Sequence, residues 1–163
     1  MVGVIKGVSE KPAKIKYGMV GGGPDAFFGA VHRKAAALDG EIELVAGAFS
    51  SSGQKSRAQG KESMLEPGRV YDSYQEMAEK EAALPDDKRI DFVSIVTPNH
   101  VHHPAAKLFM EAGINIICDK PMTTTLEEAE DLCRTARSKD RIFAVTYTYT
   151  GYPMVKQAKK LIA

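Results

Sequence analysis

The sequence predicts an α/β domain: a doubly wound parallel sheet with helices over both faces. Two observations carry that reading. Apolar strand-like runs alternate with helical patterns from Ile15 onward. The runs, such as Ile42 to Phe49 and Asp91-Phe-Val-Ser-Ile-Val96, are too continuously apolar for a sheet that is wet on one side.

The elements follow in order. Residues 1–14 contain lysines at 6, 11 and 14 and Pro12, which argues against a regular element, so they form an arm. Ile15 opens a short strand that ends in Gly21-Gly22-Gly23 and leads into a helix. In that helix Phe27, Val31, Ala35 and Leu38 share one face, with His32, Arg33 and Lys34 on the others. Asp39-Gly40 ends it, and Ile42 to Phe49 is the second strand.

Ser50-Ser-Ser-Gly then punctuates, and Gln54 to Gln59 is a short polar helix. Tyr71 marks a brief strand, and Asp72 or Ser73 caps a helix running to about Ala83. After the surface turn Leu84-Pro-Asp-Asp-Lys comes the strand Asp91 to Val96, halted by Thr97-Pro98-Asn99. Pro104 starts the next helix, with Ala105, Leu108, Phe109 and Ala112 as its apolar stripe. Asn115 to Cys118 is a strand, Thr125 caps a helix from Leu126 to Ser138, and Ile142 to Tyr147 is the last strand. Tyr152 to Ala163 is an amphipathic helix with Met154, Ala158, Leu161 and Ile162 on one face. It has no element after it to cover that face, so the chain is expected to be a piece of something longer.

The 163 residues suit one ordinary domain with a sizeable core. Apolar residues make up 44% and charged ones 26%, a globular balance. With 22 basic against 21 acidic residues, charge gives no ground for a nucleic-acid or membrane partner. No apolar run approaches the roughly 20 residues of a membrane span, and the first residues lack the apolar core of a signal peptide. Cys118 and Cys133 have no metal-ligand spacing and are expected as reduced core thiols in a cytoplasmic protein.

The chemistry starts at the glycine turn. Gly21, Gly23 and Ala26 fit the dinucleotide fingerprint G-x-G-x-x-G/A. Residues without a large side chain let the backbone approach a pyrophosphate, and the helix that follows offers unpaired N–H groups and a positive dipole end. Asp25 is expected to turn back onto those N–H groups as a cap, since a carboxylate aimed at phosphate would repel it.

Four strand ends in order carry Val20-Gly-Gly-Gly-Pro-Asp-Ala-Phe-Phe-Gly-Ala-Val-His-Arg33, Val96-Thr-Pro-Asn-His100, Asp119-Lys-Pro-Met122 and Tyr147-Thr-Tyr-Thr-Gly-Tyr-Pro153. Together they strongly resemble the glucose–fructose oxidoreductase/inositol dehydrogenase (Gfo/Idh/MocA) family, over essentially the whole chain from Ile15. The resemblance implies a Rossmann fold and a pyridine-nucleotide-dependent dehydrogenase acting on a sugar, polyol or related hydroxyl or keto compound. It also implies a second, C-terminal α/β domain that supplies most substrate contacts and an oligomer interface, making the full protein a homo-oligomer. The expected organisation is an arm (1–14), an NAD(P)-binding domain (15–148) and the start of a truncated substrate domain (149–163).

An acid normally holds the adenosine ribose at the end of the second strand. This chain has Phe49-Ser50-Ser51-Ser52 there, with Lys55 and Arg57 within reach, which favours NADP over NAD. Thr97, Pro98, Asn99 and His100 follow the strand ending at Val96, at the carboxyl edge where open α/β sheets bind ligands. The family resemblance lays this turn along the cofactor. His100, His102 and His103 have no carboxylate partner in the pattern and point different ways, so no metal is expected.

Lys120 is the expected catalytic residue. Hydride transfer from an alcohol needs a base for the hydroxyl proton, and ketone reduction needs an acid. An oxidised nicotinamide beside the lysine brings like-charge repulsion and desolvation, which favour the neutral amine. The family usually has Glu-Lys-Pro here, and this chain has Asp119-Lys120-Pro121. Pro121 stiffens the turn that aims the lysine. The expected cofactor contacts are Gly21, Gly23, Pro24, Ala26, Ser50, Ser51, Thr97, Pro98, Asn99, His102, Asp119 and Lys120. Tyr147, Tyr149 and Tyr152 are read as a domain junction, and His32 as a surface residue.

The reading is thus an NAD(P)-dependent oxidoreductase that moves hydride to or from a hydroxyl or keto carbon, with this piece inactive by itself. The alternatives are a non-enzymatic dinucleotide sensor or interaction module on the same fold, and an NAD-dependent glycosidase.

Overall fold

A computed structural model describes residues 13–24 and 26–162, so the expected arm, residues 1–14, lies almost wholly outside the described residues. Five strands form one parallel sheet: β1 (Ile15–Gly21), β2 (Ile42–Ala48), β3 (Phe92–Val96), β4 (Asn115–Cys118) and β5 (Phe143–Val145). Their order is β2-β1-β3-β4-β5. The helices are α1 (Phe27–Ala37), α2 (Gly53–Glu62), α3 (Tyr74–Ala82), α4 (Asn99–Glu111), α5 (Leu126–Ser138) and α6 (Pro153–Ile162). The chain leaves β1 toward β2 and then returns past β1 to β3. The order therefore reverses between β1 and β3, the place where an open parallel sheet has a crevice at its carboxyl edge.

Alternation along the strands sorts the core into two layers. Val20, Ala46, Val93, Ile95 and Ile116 pack against α3, α4 and α5 through Met77, Phe109, Met110 and Leu132. Tyr17, Met19 and Phe49 make the layer on the other side, with Ala36 of α1, Leu44 and Phe92 around them. Burying the Tyr17 phenol there pushes its pKa up to about 12.

Local signals set several boundaries as expected. Ser73 Oγ accepts from the Glu76 amide at 3.1 Å, and Thr125 Oγ1 from the Glu128 amide at 3.2 Å. Each cap contributes about 1 kcal/mol. Other boundaries moved. The Gln54–Gln59 helix extends over Gly53–Glu62, because Ser56, Gln59 and Gly60 are buried against the body. Tyr71 is no strand residue: Val70 makes an isolated bridge to Gly47, and the Tyr71 amide donates to the Gly47 carbonyl at 2.8 Å. α4 starts at Asn99 and holds Pro104 inside its second turn. Proline there removes one amide donor and leaves the rest of the helix ladder intact.

Two expectations about faces are overturned. In α1 the apolar stripe Phe27, Val31, Ala35 and Leu38 faces outward, with Phe27 75% and Leu38 86% exposed, while Gly29, His32, Arg33 and Ala36 face the sheet. Cys133 is exposed, not a core thiol; Cys118 is buried, and burial pushes its thiol up to about 12. None of the described residues of α6 is buried. No helix among the described residues is long and apolar enough to cross a membrane.

Candidate functional site

The carboxyl ends of β1, β2 and β3 open into a cleft of about 640 Å³. Its floor is the glycine turn. Gly21 has φ +82°, and a Cβ there would lie 2.8 Å from the Val96 carbonyl oxygen. Gly22 has φ +73°, and a Cβ on Gly23 would come within 3.0 Å of the Phe49 carbonyl oxygen. Only glycine keeps this backbone both left-handed and bare. α1 begins just beyond it with Ala26 as N-cap, an alanine with no side chain to cap the first amides, and no acidic residue in its first turn. Those amides are the kind of donors that bind a phosphate. Asp25, expected as their cap, lies outside the described residues.

Of the expected cofactor contacts, Gly21, Gly23, Pro24 and Ala26 line this cleft from below. Ser50 and Ser51 line it from the end of β2, and Thr97 and Pro98 from the end of β3. Among the described residues, Thr97 Oγ1 is buried with no hydrogen-bond partner, a polar atom left for a ligand. The bare turn, the helix start beside it, the buried Thr97 hydroxyl and the size of the cleft fit a dinucleotide.

Lys55 also lines the cleft, beside Asp72. Arg57, the other cation expected near a 2′-phosphate, is ion-paired with the Asp72 carboxylate. His100 and Val101 complete the wall on the α4 side.

Four expected contacts stand apart from that cleft. Asn99 is exposed at the start of α4. His102 is 1% exposed, with Nδ1 2.8 Å from the Pro121 carbonyl oxygen and Nε2 3.0 Å from that of Thr97. It ties the two strand-end turns together, with both ring nitrogens against their carbonyls, and is not among the residues that line the cleft.

Asp119 is 8% exposed, and its Oδ1 accepts from Thr146 Oγ1 at 2.9 Å. Lys120 is exposed, with Nζ 5.2 Å above the centre of the Phe28 ring. The peptide bond between Lys120 and Pro121 is cis.

Two residues matter more than their sequence context suggested. Gly29 provides a close approach of helix to strand end: a Cβ on Gly29 would lie 2.4 Å from the Gly22 Cα. A glycine within a helical pattern, where it costs about 1 kcal/mol against alanine, was the available signal. His32 faces inward, its Nδ1 2.9 Å from Ser94 Oγ and its Nε2 4.0 Å from Asp119 Oδ1. Burial lowers the His32 pKa, and the Asp119 charge opposes that shift. Arg33, on the same stripe, donates to the Gly22 carbonyl at 2.8 Å and so braces the turn. Among the described residues no group of three or more His, Cys, Asp or Glu is placed to hold a metal ion.

Comparison with known proteins agrees with this geometry. A family model described as an oxidoreductase family with an NAD-binding Rossmann fold matches residues 15–147. The uncharacterized oxidoreductase YfiI of Bacillus subtilis is 35% identical over 91% of this chain and 37% of its own length. The D-xylose 1-dehydrogenase (NADP(+)) of Hypocrea jecorina is 31% identical over 74% of this chain and 29% of its own length. Among solved structures, an oxidoreductase from Sinorhizobium meliloti superposes with a TM-score of 0.84 at 54% identity, covering 91% of this chain and 41% of that one. An inositol dehydrogenase homolog from Azotobacter vinelandii, complexed with NADH and myo-inositol, superposes with a TM-score of 0.87 at 39% identity. There the coverage is 93% of this chain and 39% of that one. The chain thus spans about two fifths or less of the length of these relatives.

Proposed function

This chain belongs to the Gfo/Idh/MocA oxidoreductase family, and on that footing we propose that it is the dinucleotide-binding part of a dehydrogenase acting on a hydroxyl or keto carbon of a sugar or polyol. The single observation that carries the reading is the glycine-floored cleft at the β1/β3 reversal, with the start of α1 at one end. A nicotinamide dinucleotide bound there supplies the hydride acceptor or donor.

The chain's own residues do the rest. Gly21–Gly23 let the backbone close on the pyrophosphate, and the first amides of α1 donate to its oxygens. The Thr97 hydroxyl supplies a further donor in the cleft wall. Lys120 takes the proton from a substrate hydroxyl as it is oxidised, or returns it to a carbonyl oxygen on reduction, and steadies that oxygen with its charge.

Ser50, Ser51 and Lys55 flank the adenosine end, with no acid on the β2 end itself, which supports NADP in preference to NAD. Asp72 stands near the same end, but its charge is met by Arg57. Residues 149–163 are proposed as the first part of a substrate half. The exposed apolar residues of α6 and Tyr147, Tyr149 and Tyr152 support that, as they do self-association through that half. The 163-residue chain is accordingly proposed to bind cofactor with little turnover by itself.

Fluorescence titration of the purified chain with NADPH and NADH tests the reading. Saturable binding of both, tighter for NADPH and lost in Gly23→Asp, is expected. Absence of binding for either dinucleotide overturns it, and tighter binding of NADH overturns the NADP preference alone.

A further inference from the structure

We propose that Phe28 and His32, one turn apart on α1, are positioning residues that together clamp the Asp119–Lys120 turn. The inference rests on the reading of Lys120 as the proton-handling group.

Residues four apart on a helix lie one above the other. On α1 that stacking puts two different contacts under two consecutive residues of the turn after β4. Phe28 offers its ring face to the Lys120 ammonium at 5.2 Å, a cation–π geometry. His32 offers Nε2 to Asp119 Oδ1 at 4.0 Å. That separation is longer than a hydrogen bond, so the hold is electrostatic.

The direction of the imidazole is set from the sheet. β3 presents Phe92, Ser94 and Val96 toward α1, by alternation, and Ser94 is the polar one of the three. Ser94 is 2% exposed, and its hydroxyl lies 2.9 Å from His32 Nδ1. The clamp assigns the imidazole hydrogen to Nε2, which turns a positive ring edge toward the Asp119 carboxylate and leaves Nδ1 to accept from the Ser94 O–H. Thr146 Oγ1, donating to the same Asp119 oxygen from beyond β5, is the second hold on the carboxylate.

The chain Ser94–His32–Asp119 therefore runs from the middle of the sheet to the residue beside Lys120. The side chain of His32 is 13% exposed and that of Asp119 12%. Phe28 reaches Lys120 and His32 reaches Asp119, so each acts through the turn it holds and is a positioning residue.

The experiment is NMR on the 163-residue chain with labelled lysine and histidine, the Lys120 signals assigned by their loss in Lys120→Arg. The ε-methylene protons of Lys120 should be shifted upfield by the Phe28 ring, and Phe28→Leu should abolish the shift. In His32→Asn the new amide can replace Nδ1 toward Ser94 but leaves nothing at the Nε2 place; most of the shift should be lost. His32→Gln places an amide nitrogen near the Nε2 position and should restore it. The imidazole nitrogens of wild type should show the hydrogen on Nε2.

An unmoved Lys120 signal in Phe28→Leu, or a full shift in folded His32→Asn, overturns the clamp. Should the His32 variants fail to fold, Asp119→Asn decides: the Lys120 shift should fall and the His32 resonances move, and unchanged spectra overturn the proposal. An NADH titration run beside these measurements separates the two readings. Failure to bind would sink the proposed function while the Lys120 signal still reports on the clamp.

Discussion

Gly29 rests on Gly22 so closely that a Cβ on the first would stand 2.4 Å from the Cα of the second. This contact fixes how far α1 can sit from the end of β1 and which way the helix is rotated. With Gly29 turned inward, His32, Arg33 and Ala36 follow on the same stripe, and the apolar stripe turns to the outside.

Gly29→Ala should therefore destabilise the fold by about 1–3 kcal/mol, the usual cost of overpacking, and weaken dinucleotide binding by displacing the turn. Urea unfolding read beside an NADPH titration checks both. Unchanged stability would mean that the contact relaxes at no cost.

The buried imidazole ties stability to pH. His32 is lowered from its ordinary value of 6.5 in the folded chain, so below that value the unfolded state takes up the proton first. Its contribution is complete above 6.5 and is lost as the pH falls through the folded pKa. Thermal melts across that range should show a steeper acid-side decline for wild type than for His32→Asn.

The two thiols should separate cleanly. Cys133 is exposed and Cys118 is buried with its thiol pushed up to about 12. A thiol reagent at about pH 8, near the ordinary thiol pKa, should modify Cys133 in the native protein and Cys118 only after unfolding. Mass spectrometry of the labelled peptides distinguishes them.

Lys120→Met should leave NADPH affinity within about twofold, a change of under 1 kcal/mol, because Lys120 stands outside the cleft that holds the phosphates. In a version of the protein that also carries a substrate half, the same change should remove the proton-transfer share of the rate, about 10²- to 10⁴-fold. Steady-state turnover with a polyol panel reads it.

Much of this protein is legible from residue order because local physics decides it. The alternation of apolar strands and helical stripes dictates a covered parallel sheet, and Ser73 and Thr125 mark helix starts through bonds within a few residues. Gly21 to Gly23 announce a bare turn, and the Asp119-Lys120-Pro121 run announces a residue set at a strand end. What periodicity leaves open is orientation, because an apolar stripe on a helix says only that one face is apolar. The stripe Phe27–Val31–Ala35–Leu38 obeys the core pattern and still faces outward, since the Gly29 contact and the Arg33 bond to Gly22 turn the other side to the sheet. His102 likewise faces the carbonyl of Pro121, 19 residues on, and Arg57 is claimed by Asp72 from another loop. The sequence by itself determined the fold class, the family and the bare glycine turn at the end of β1. The tertiary structure decided which face of α1 is inside, and with it that His32 looks toward Asp119, because such contacts join residues far apart in the chain and are set by packing, not by local preference.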